Sequence, residues 1–292
     1  MTRRESTKGG RSILFVINPN RPDARSVAEK LSALLEPAGF SFFAPSESGI
    51  SGAQDVSFKD NATVEIAVVL GGDGTMLRGA ELVRDSQIPL LGINLGHVGF
   101  LAEVDKPTIE EIAQAIIDKR FTTETRMLLS YSVERGEKTV ATGWALNEVT
   151  IERNSSAMVQ LFLQIDSRPL SRWGCDGVIC ATPTGSTAYA FSAGGPVVWP
   201  EVDALVLLPI SAHALFSRPM VVSPDSKIVI DIESERALLL GDSLREFLLL
   251  EGDRVAITKD SKNVKLAHVH ETLFSDRLVA KFKLPIEGWR GE

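Results

Sequence analysis

Apolar residues in the first hundred positions fall into short runs, with Glu65 the one charged interruption among them. Ile13-Leu-Phe-Val-Ile17, Val64 to Leu70 and Pro89-Leu-Leu-Gly-Ile93 are each too short for a helix, so each predicts a buried strand. Between them the spacing changes. Val27, Leu31, Leu34 and Leu35 recur at helical intervals before Gly39, and Met76 to Asp85 predicts a helix with Leu77, Ala80 and Val83 on one side. Thr108 to Lys119 predicts a further helix, capped by Thr108 and carrying Glu110 and Glu111 in its first turn. Ser46 to Asp60 is polar and reads as a loop. Strands alternating with helices predict a parallel α/β sheet. From about Thr123 the rhythm is different. Leu128 to Glu134, Gly143 to Glu152, Met158 to Asp166, Lys227 to Ile232, Arg254 to Thr258 and Leu278 to Phe282 are rich in β-branched or aromatic residues and separated by polar turns. They predict antiparallel β structure. The expected organisation is an α/β domain over residues 1–122 and an all-β domain over 123–292, with the extreme C-terminal segment packing back on the first.

Composition narrows the function classes. With 31 Lys+Arg against 38 Asp+Glu the 292-residue chain carries a net charge of −7, which argues against nucleic acid as a partner. Hydrophobic residues at 44% and charged ones at 24% describe a globular protein. No apolar stretch approaches the ~20 residues that span a bilayer; the run Ala204 to Leu208 stops at Pro209. The segment Met1 to Arg11, with Arg3, Arg4, Lys8 and Arg11, precedes no signal-peptide hydrophobic region and reads as a frayed basic tail. Cys175 and Cys180 sit at neither CxxC nor zinc-ribbon spacing, and are expected as buried free thiols in a reducing cytoplasm.

Chemistry concentrates in two glycine-rich constellations. The first, Leu70-Gly-Gly-Asp-Gly-Thr-Met-Leu77, joins a predicted strand to a predicted helix. Glycines there let the backbone approach a ligand, and a helix start offers N–H groups to phosphate. Gly74 to Gly79 has Walker spacing, but Ala80-Glu81 stands where Lys-Ser/Thr would be, and the third glycine of a dinucleotide fingerprint is missing. What remains is the Asp73 carboxylate beside a phosphate-friendly turn. Two tasks suit it: accepting a proton from an attacking hydroxyl, or holding a divalent cation. The second constellation runs from Gly174 through Thr182-Pro-Thr-Gly-Ser-Thr-Ala-Tyr189 to Ser192-Ala-Gly-Gly-Pro196. From Trp173 to Pro200 its only charged residue is Asp176. Hydroxyls and main-chain groups without charge suit a ligand lining, and Tyr189 offers a ring for stacking. Asn147-Glu148, inside a predicted strand, pairs an amide with a carboxylate and suits adenine edges and ribose hydroxyls. His268 and His270 point the same way from a strand but lack a third ligand, so no metal ligands are assigned. Ser186 lies in no nucleophile elbow.

Taken together these motifs resemble the NAD kinase family. The resemblance rests on Gly71-Gly-Asp-Gly-Thr75, Asn94-Leu-Gly-His-Val-Gly-Phe-Leu-Ala-Glu103, Asn147-Glu148, and Asp176-Gly177 leading into Thr182–Tyr189 and Ser192–Pro196, in family order. It implies an α/β N-terminal domain, a β-sandwich-like C-terminal domain that binds NAD, and a homo-oligomer, dimer or tetramer, in the cytoplasm. It implies phosphoryl transfer from ATP, or from polyphosphate, to the 2′-hydroxyl of the adenosine ribose of NAD, with Mg²⁺ or another divalent cation. By position, Asp73 is the expected proton acceptor. Gly71, Gly72, Gly74 and Thr75 belong to the phosphate-side turn, and Arg78 and His213 are further phosphate candidates. Asn147, Glu148 and Thr187 are expected around the adenosine, Asp176, Ala188 and Ser192 nearer the nicotinamide, and Tyr189 against the nucleotide. Two stretches depart from the family pattern: Asp242-Ser-Leu-Arg245 puts Leu244 where a polar residue is usual, and Pro209 to Pro219 keeps the His and Arg-Pro positions but not every neighbour. The competing functions are another GGDGT-type kinase acting on a lipid or sugar, and a non-catalytic NAD(P) sensor.

Overall fold

The apolar runs become strands because continuous apolar sequence can be buried on both faces of a sheet. The structure, a computed structural model, describes residues 10–55, 64–96, 99–102, 107–271 and 273–285. The chain divides into two units, Met1–Thr125 with Val264–Glu292, and Arg126–Asn263.

The first unit contains β1 (Arg11–Ile17), α1 (Pro22–Leu35), β2 (Phe40–Ala44), β3 (Gln54–Asp55), β4 (Val64–Leu70), α2 (Asp73–Val83), β5 (Leu90–Ile93) and α3 (Ile109–Ile117). Its strands pair in parallel in the order β3-β2-β1-β4-β5. The chain steps outward from β1 to β3, then returns to β4 on the other side. The carboxyl ends of β1 and β4 therefore flank a topological switch point, where open parallel sheets take their ligands. The Gly71–Thr75 turn follows β4 at that point. Ile13, Phe15, Ile66 and Val68 of the sheet pack with Ala28 and Leu31 of α1 and Ile112 and Ile116 of α3.

The second unit spans most of β6 (Thr122–Arg135), β7 (Lys138–Ala145), β8 (Glu148–Arg153), β9 (Val159–Ile165), β10 (Arg168–Cys175), β11 (Gly177–Ala181), the one-turn α4 (Tyr189–Ser192), β12 (Leu205–Ile210), β13 (Met220–Val222), β14 (Ile228–Ile232), β15 (Arg236–Gly241), β16 (Arg245–Leu250) and most of β17 (Arg254–His268). One sheet runs β10-β9-β14-β17-β6-β7 and the other β13-β12-β11-β8-β15-β16. Trp173, Leu161, Ile230 and Ile257 of the first meet Ile151, Val178, Leu207 and Leu239 of the second in one core, which makes this unit a sandwich. Val178 and Cys180 of β11 face that core, while Ile179 and Ala181 pack on the opposite side against Ala190 and Val198. A strand covered on both faces explains the apolar Gly177–Ala181 run.

The end of β17 pairs with β5 through Leu266 and Ala267, and α5 (Phe274–Phe282) follows in the first unit. Here the structure departs from expectation, since Leu278 to Phe282 is helix rather than strand. The buried residue of α5 is Arg277, and a polar side chain on the inner face hides the helical period. The helix expected from Met76 starts at Asp73, because the Gly72 carbonyl already accepts the N–H groups of Thr75 and Met76 at 2.9 and 3.1 Å. The single strand expected over Gly143 to Glu152 is two, broken at Leu146 and Asn147. Cys175 and Cys180 are free and buried, as expected. The basic tail up to Gly9, residues 56–60 of the expected loop, and His97, Val98 and Glu103 of the Asn94–Glu103 motif lie outside the described residues.

Candidate active site

In the first unit the turn after β4 presents Asp73 as the first residue of α2. A Cβ on Gly71 would strike the Thr75 hydroxyl, so Gly71 is required by packing. Gly72 and Gly74 are different: a Cβ there would meet nothing, so space rather than packing surrounds them. Asp73 and Gly74 also precede the hydrogen-bond ladder of α2, and their N–H groups stand at the positive end of the helix. The Asp73 carboxylate is half-buried and held on both oxygens. Phe100 N–H donates to Oδ2 and Leu101 N–H to Oδ1, each at 3.1 Å. A Cβ on Gly99 would collide with that carboxylate. Phe100, Leu101 and the missing side chain of Gly99 thus form a cradle for one carboxylate. Each oxygen keeps lone-pair capacity for a further partner.

In the second unit the break between β7 and β8 is built around Asp242. That carboxylate accepts the main-chain N–H groups of Leu146, Asn147 and Glu148 at 2.8, 2.7 and 3.3 Å, which turns the backbone out of the ladder just where Asn147 and Glu148 stand. Asp242 and Ser243 both take positive φ, 52° and 54°, to bring the carboxylate round. Arg245 lies over the Trp144 ring at 3.9 Å, donates to the Trp144 carbonyl at 2.9 Å and stands 3.4 Å from Asp242 Oδ2, while Leu244 is exposed. On the other side of the break Thr182 donates through Oγ1 to Leu146 O at 2.6 Å and through N–H to Asn147 O at 2.8 Å. Gly185 lies flat on Asn147, whose carbonyl occupies the place of a Cβ.

Electrostatics distinguish the two carboxylates. Burial and the Asp242 charge push Glu148 up to about 8, opposed by the Tyr189 N–H. Burial pushes Asp242 to about 6, opposed by its three N–H donors. Near neutrality Asp242 therefore holds the negative charge and Glu148 keeps a proton. Glu148 Oε2 is buried without a hydrogen-bond partner among the described residues, a cost that a bound donor or acceptor would remove.

The hydroxyls of the second constellation divide in two. Thr182 and Ser186 are fully buried and tie the turn to itself; Ser186 Oγ donates to Pro183 O at 2.6 Å and accepts Val198 N–H at 2.9 Å. Thr187, Ala188, Tyr189 and Ser192 keep accessible surface. Asp176, half-buried, pairs with Arg153 at 3.0 Å. The two further phosphate candidates, Arg78 in the first unit and His213 in the second, are both exposed. Arg78 is on the exposed face of α2, beside a cavity of about 530 Å³ whose other lining residues include Ile17, Pro45 and Glu81 but not the glycine turn. His213 is exposed and donates its N–H to the Gly174 carbonyl at 2.9 Å. Gly99 and the Phe100 and Leu101 N–H groups escaped assignment in the sequence, although they lie inside a motif quoted for its resemblance. Asp242 escaped because its partners are 94 to 96 residues away.

A parallel sheet with a carboxylate in a glycine turn at its switch point, followed by a β-sandwich that carries Asn147, Glu148 and the hydroxyl-rich Thr182–Tyr189 turn, is the build of a nucleotide-handling phosphotransferase. Comparison with known proteins narrows the class. Residues 13–121 match the ATP-NAD kinase N-terminal domain and residues 146–269 the ATP-NAD kinase C-terminal domain. The chain is 50% identical to an NAD kinase of Thermobifida fusca over 79% of its own length and 73% of that protein's. It is 42% identical to an NAD kinase of Mycobacterium tuberculosis over 97% and 99%. Its fold matches a crystal structure of yeast NADH kinase complexed with NADH, with a TM-score of 0.88, 23% identity and coverage of 98% and 91%. An NAD kinase from Archaeoglobus fulgidus in complex with ATP matches with a TM-score of 0.71 at 25% identity, covering 94% and 99%. The chain belongs to the ATP-NAD kinase family.

Proposed function

We propose that the chain is an NAD kinase that transfers the γ-phosphoryl group of ATP to the 2′-hydroxyl of the adenosine ribose of NAD, giving NADP and ADP. Relatives at 42 to 50% identity named NAD kinase support the activity. The single structural observation that carries it is Asp73, cradled in the glycine turn with both oxygens oriented and free to accept a hydroxyl proton. As the ribose oxygen bonds to phosphorus, the bond from phosphorus to the ADP oxygen breaks and the hydroxyl proton passes to Asp73. A ribose hydroxyl is a poor nucleophile, so the protein contributes mainly alignment and charge neutralisation. Gly72 and Gly74 bring main-chain N–H groups to the phosphates, while Gly71 and Thr75, whose N–H groups donate to the Ile93 and Gly72 carbonyls, shape the turn on the phosphate side. Asn147 and protonated Glu148 present both donors and acceptors to the adenosine, joined by Thr187, with Tyr189 stacking on the nucleotide. Asp176, Ala188 and Ser192 serve the nicotinamide side, and Arg78 and His213 are accessory phosphate contacts.

A divalent cation fits this chemistry. Among the described residues no group of three or more His, Cys, Asp or Glu could hold a metal, whereas Mg²⁺ is commonly held by one carboxylate together with substrate phosphates. Asp73 has the lone pairs for that contact, and the ion would neutralise phosphate charge. We place the protein in the cytoplasm, as a homo-oligomer. Two free, buried thiols favour a reducing compartment, and no helix among the described residues is long and apolar enough to cross a membrane.

Purified protein given NAD, Mg²⁺ and either ATP or polyphosphate should form NADP, read with an NADP-specific dehydrogenase. Absence of product with both donors sinks the proposal. Turnover of a lipid or sugar in place of NAD points to the broader GGDGT kinases. Asp73→Asn should abolish turnover and leave NAD binding intact; a sensor has no turnover to lose.

A further inference from the structure

We propose that Arg277, on the C-terminal helix α5, is a positioning residue for Asp73 and acts on it through a single peptide group. This rests on the reading of Asp73 as the proton acceptor. Arg277 is only 2% exposed, and its Nη1 donates to the Phe100 carbonyl at 2.9 Å and the Ala102 carbonyl at 3.2 Å. The peptide that carries the Phe100 carbonyl also carries the Leu101 N–H, and that N–H donates to Asp73 Oδ1 at 3.1 Å. The guanidinium therefore grips one end of a peptide whose other end grips the carboxylate. It fixes the peptide plane, and its charge polarises the N–H toward Asp73.

The far side of the guanidinium is anchored as well. Its Nη2 lies 3.1 Å from His268 Nδ1. An arginine only donates, so Nδ1 accepts, and His268 carries its proton on Nε2, which lies 2.7 Å from Glu124 Oε1. An unbroken series of hydrogen bonds thus runs from Glu124 through His268 and Arg277 to the 100–101 peptide and Asp73. The same helix brackets the Phe100 ring with Phe274 and Phe282, at centroid distances of 6.0 and 5.7 Å. Those rings alone would anchor the loop. A buried charge is a poor structural prop, since a well-packed apolar side chain commonly stabilises as much or more. The arginine is explained by what its charge does at the peptide.

The test compares Arg277→Met, Arg277→Lys and Asp73→Asn with the wild type, reading kcat for NADP formation and, separately, the Kd for NAD. We expect Arg277→Met to lower kcat about 100-fold, the scale of a small misplacement of a reacting group, with the NAD Kd within about threefold. Arg277→Lys should recover part of kcat by restoring charge and one donor. A kcat within about threefold of wild type in Arg277→Met, with Asp73→Asn inactive, overturns the proposal. So does a joint loss of kcat and NAD binding that Arg277→Lys does not relieve, which marks a purely structural role. If Arg277→Met does not fold, His268→Phe decides: removing the acceptor behind the guanidinium should lower kcat several-fold at unchanged Kd, and an unchanged kcat overturns the proposal. Full turnover in Asp73→Asn refutes the reading of Asp73 itself, and so separates the two failures.

Discussion

Two glycines, one in each unit, do their work by leaving space. Gly99 leaves it for the Asp73 carboxylate, Gly185 for the Asn147 carbonyl, and the two obstacles differ in how far they can yield. A carboxylate on a half-buried side chain can rotate, whereas a main-chain carbonyl fixed by the Thr182 N–H cannot move without the backbone between β7 and β8. Gly99→Ala should therefore fold normally but turn Asp73 out of its cradle, lowering kcat by roughly 100-fold with little change in melting temperature. Gly185→Ala should instead destabilise the chain by about 1–3 kcal/mol, the usual cost of overpacking. Thermal melts set beside initial rates separate the two. Equal destabilisation by both, or full activity in Gly99→Ala, contradicts this account of the cradle.

At the scale of elements, what was legible in the sequence was what local rules determine. β1, β4 and β5 are short and mostly apolar, and α3 announces itself with a capping box: Thr108 Oγ1 accepts Glu111 N–H at 3.2 Å while Glu111 Oε2 accepts Thr108 N–H at 2.7 Å. Thr108→Ala should cost about 1 kcal/mol, read as a shift in the denaturation midpoint without loss of activity; an unchanged midpoint would show that the helix holds without its cap. The elements that escaped local reading are those set by distant partners. The break between β7 and β8 exists because Asp242 captures three N–H groups, and a strand pattern running unbroken from Gly143 to Glu152 gives no hint of it. Helix α5 hides its period because its inner face is centred on an arginine whose carbonyl partner is 177 residues away. The motifs TPTGSTAY and GGDGT were legible as ligand-type segments. Which of their hydroxyls are internal staples, as Thr182 and Ser186 are, is decided by tertiary contacts that composition does not encode.

For the whole molecule, a net charge of −7 says little about a site meant for anionic nucleotides, since the field there is local. Main-chain N–H groups crowd the start of α2, and the second unit keeps one carboxyl of its buried pair protonated. That arrangement leaves a signature in global stability. Glu148 is raised to about 8 from an ordinary 4.5, so between these values the folded chain holds a proton that the unfolded chain releases. Stability therefore falls as pH rises through this window, because the native state binds the extra proton. Asp242, raised to about 6 from 3.8, acts in the same direction over a lower range. Carboxylates gripped by arginines act oppositely: Arg135 holds Asp253 below its ordinary value, and that contribution is lost as pH falls. The net curve mixes these signs, so Glu148 is isolated by difference. In the absence of nucleotide, Glu148→Gln should remove the loss, and the wild type should become progressively less stable than the variant from pH 5 to pH 9, by an amount on the order of a few kcal/mol. Chemical denaturation of both chains at each pH supplies the comparison. A stability difference independent of pH would mean that Glu148 ionises as freely in the folded chain as in the unfolded one, and Glu148 would then meet adenosine as a carboxylate that can only accept.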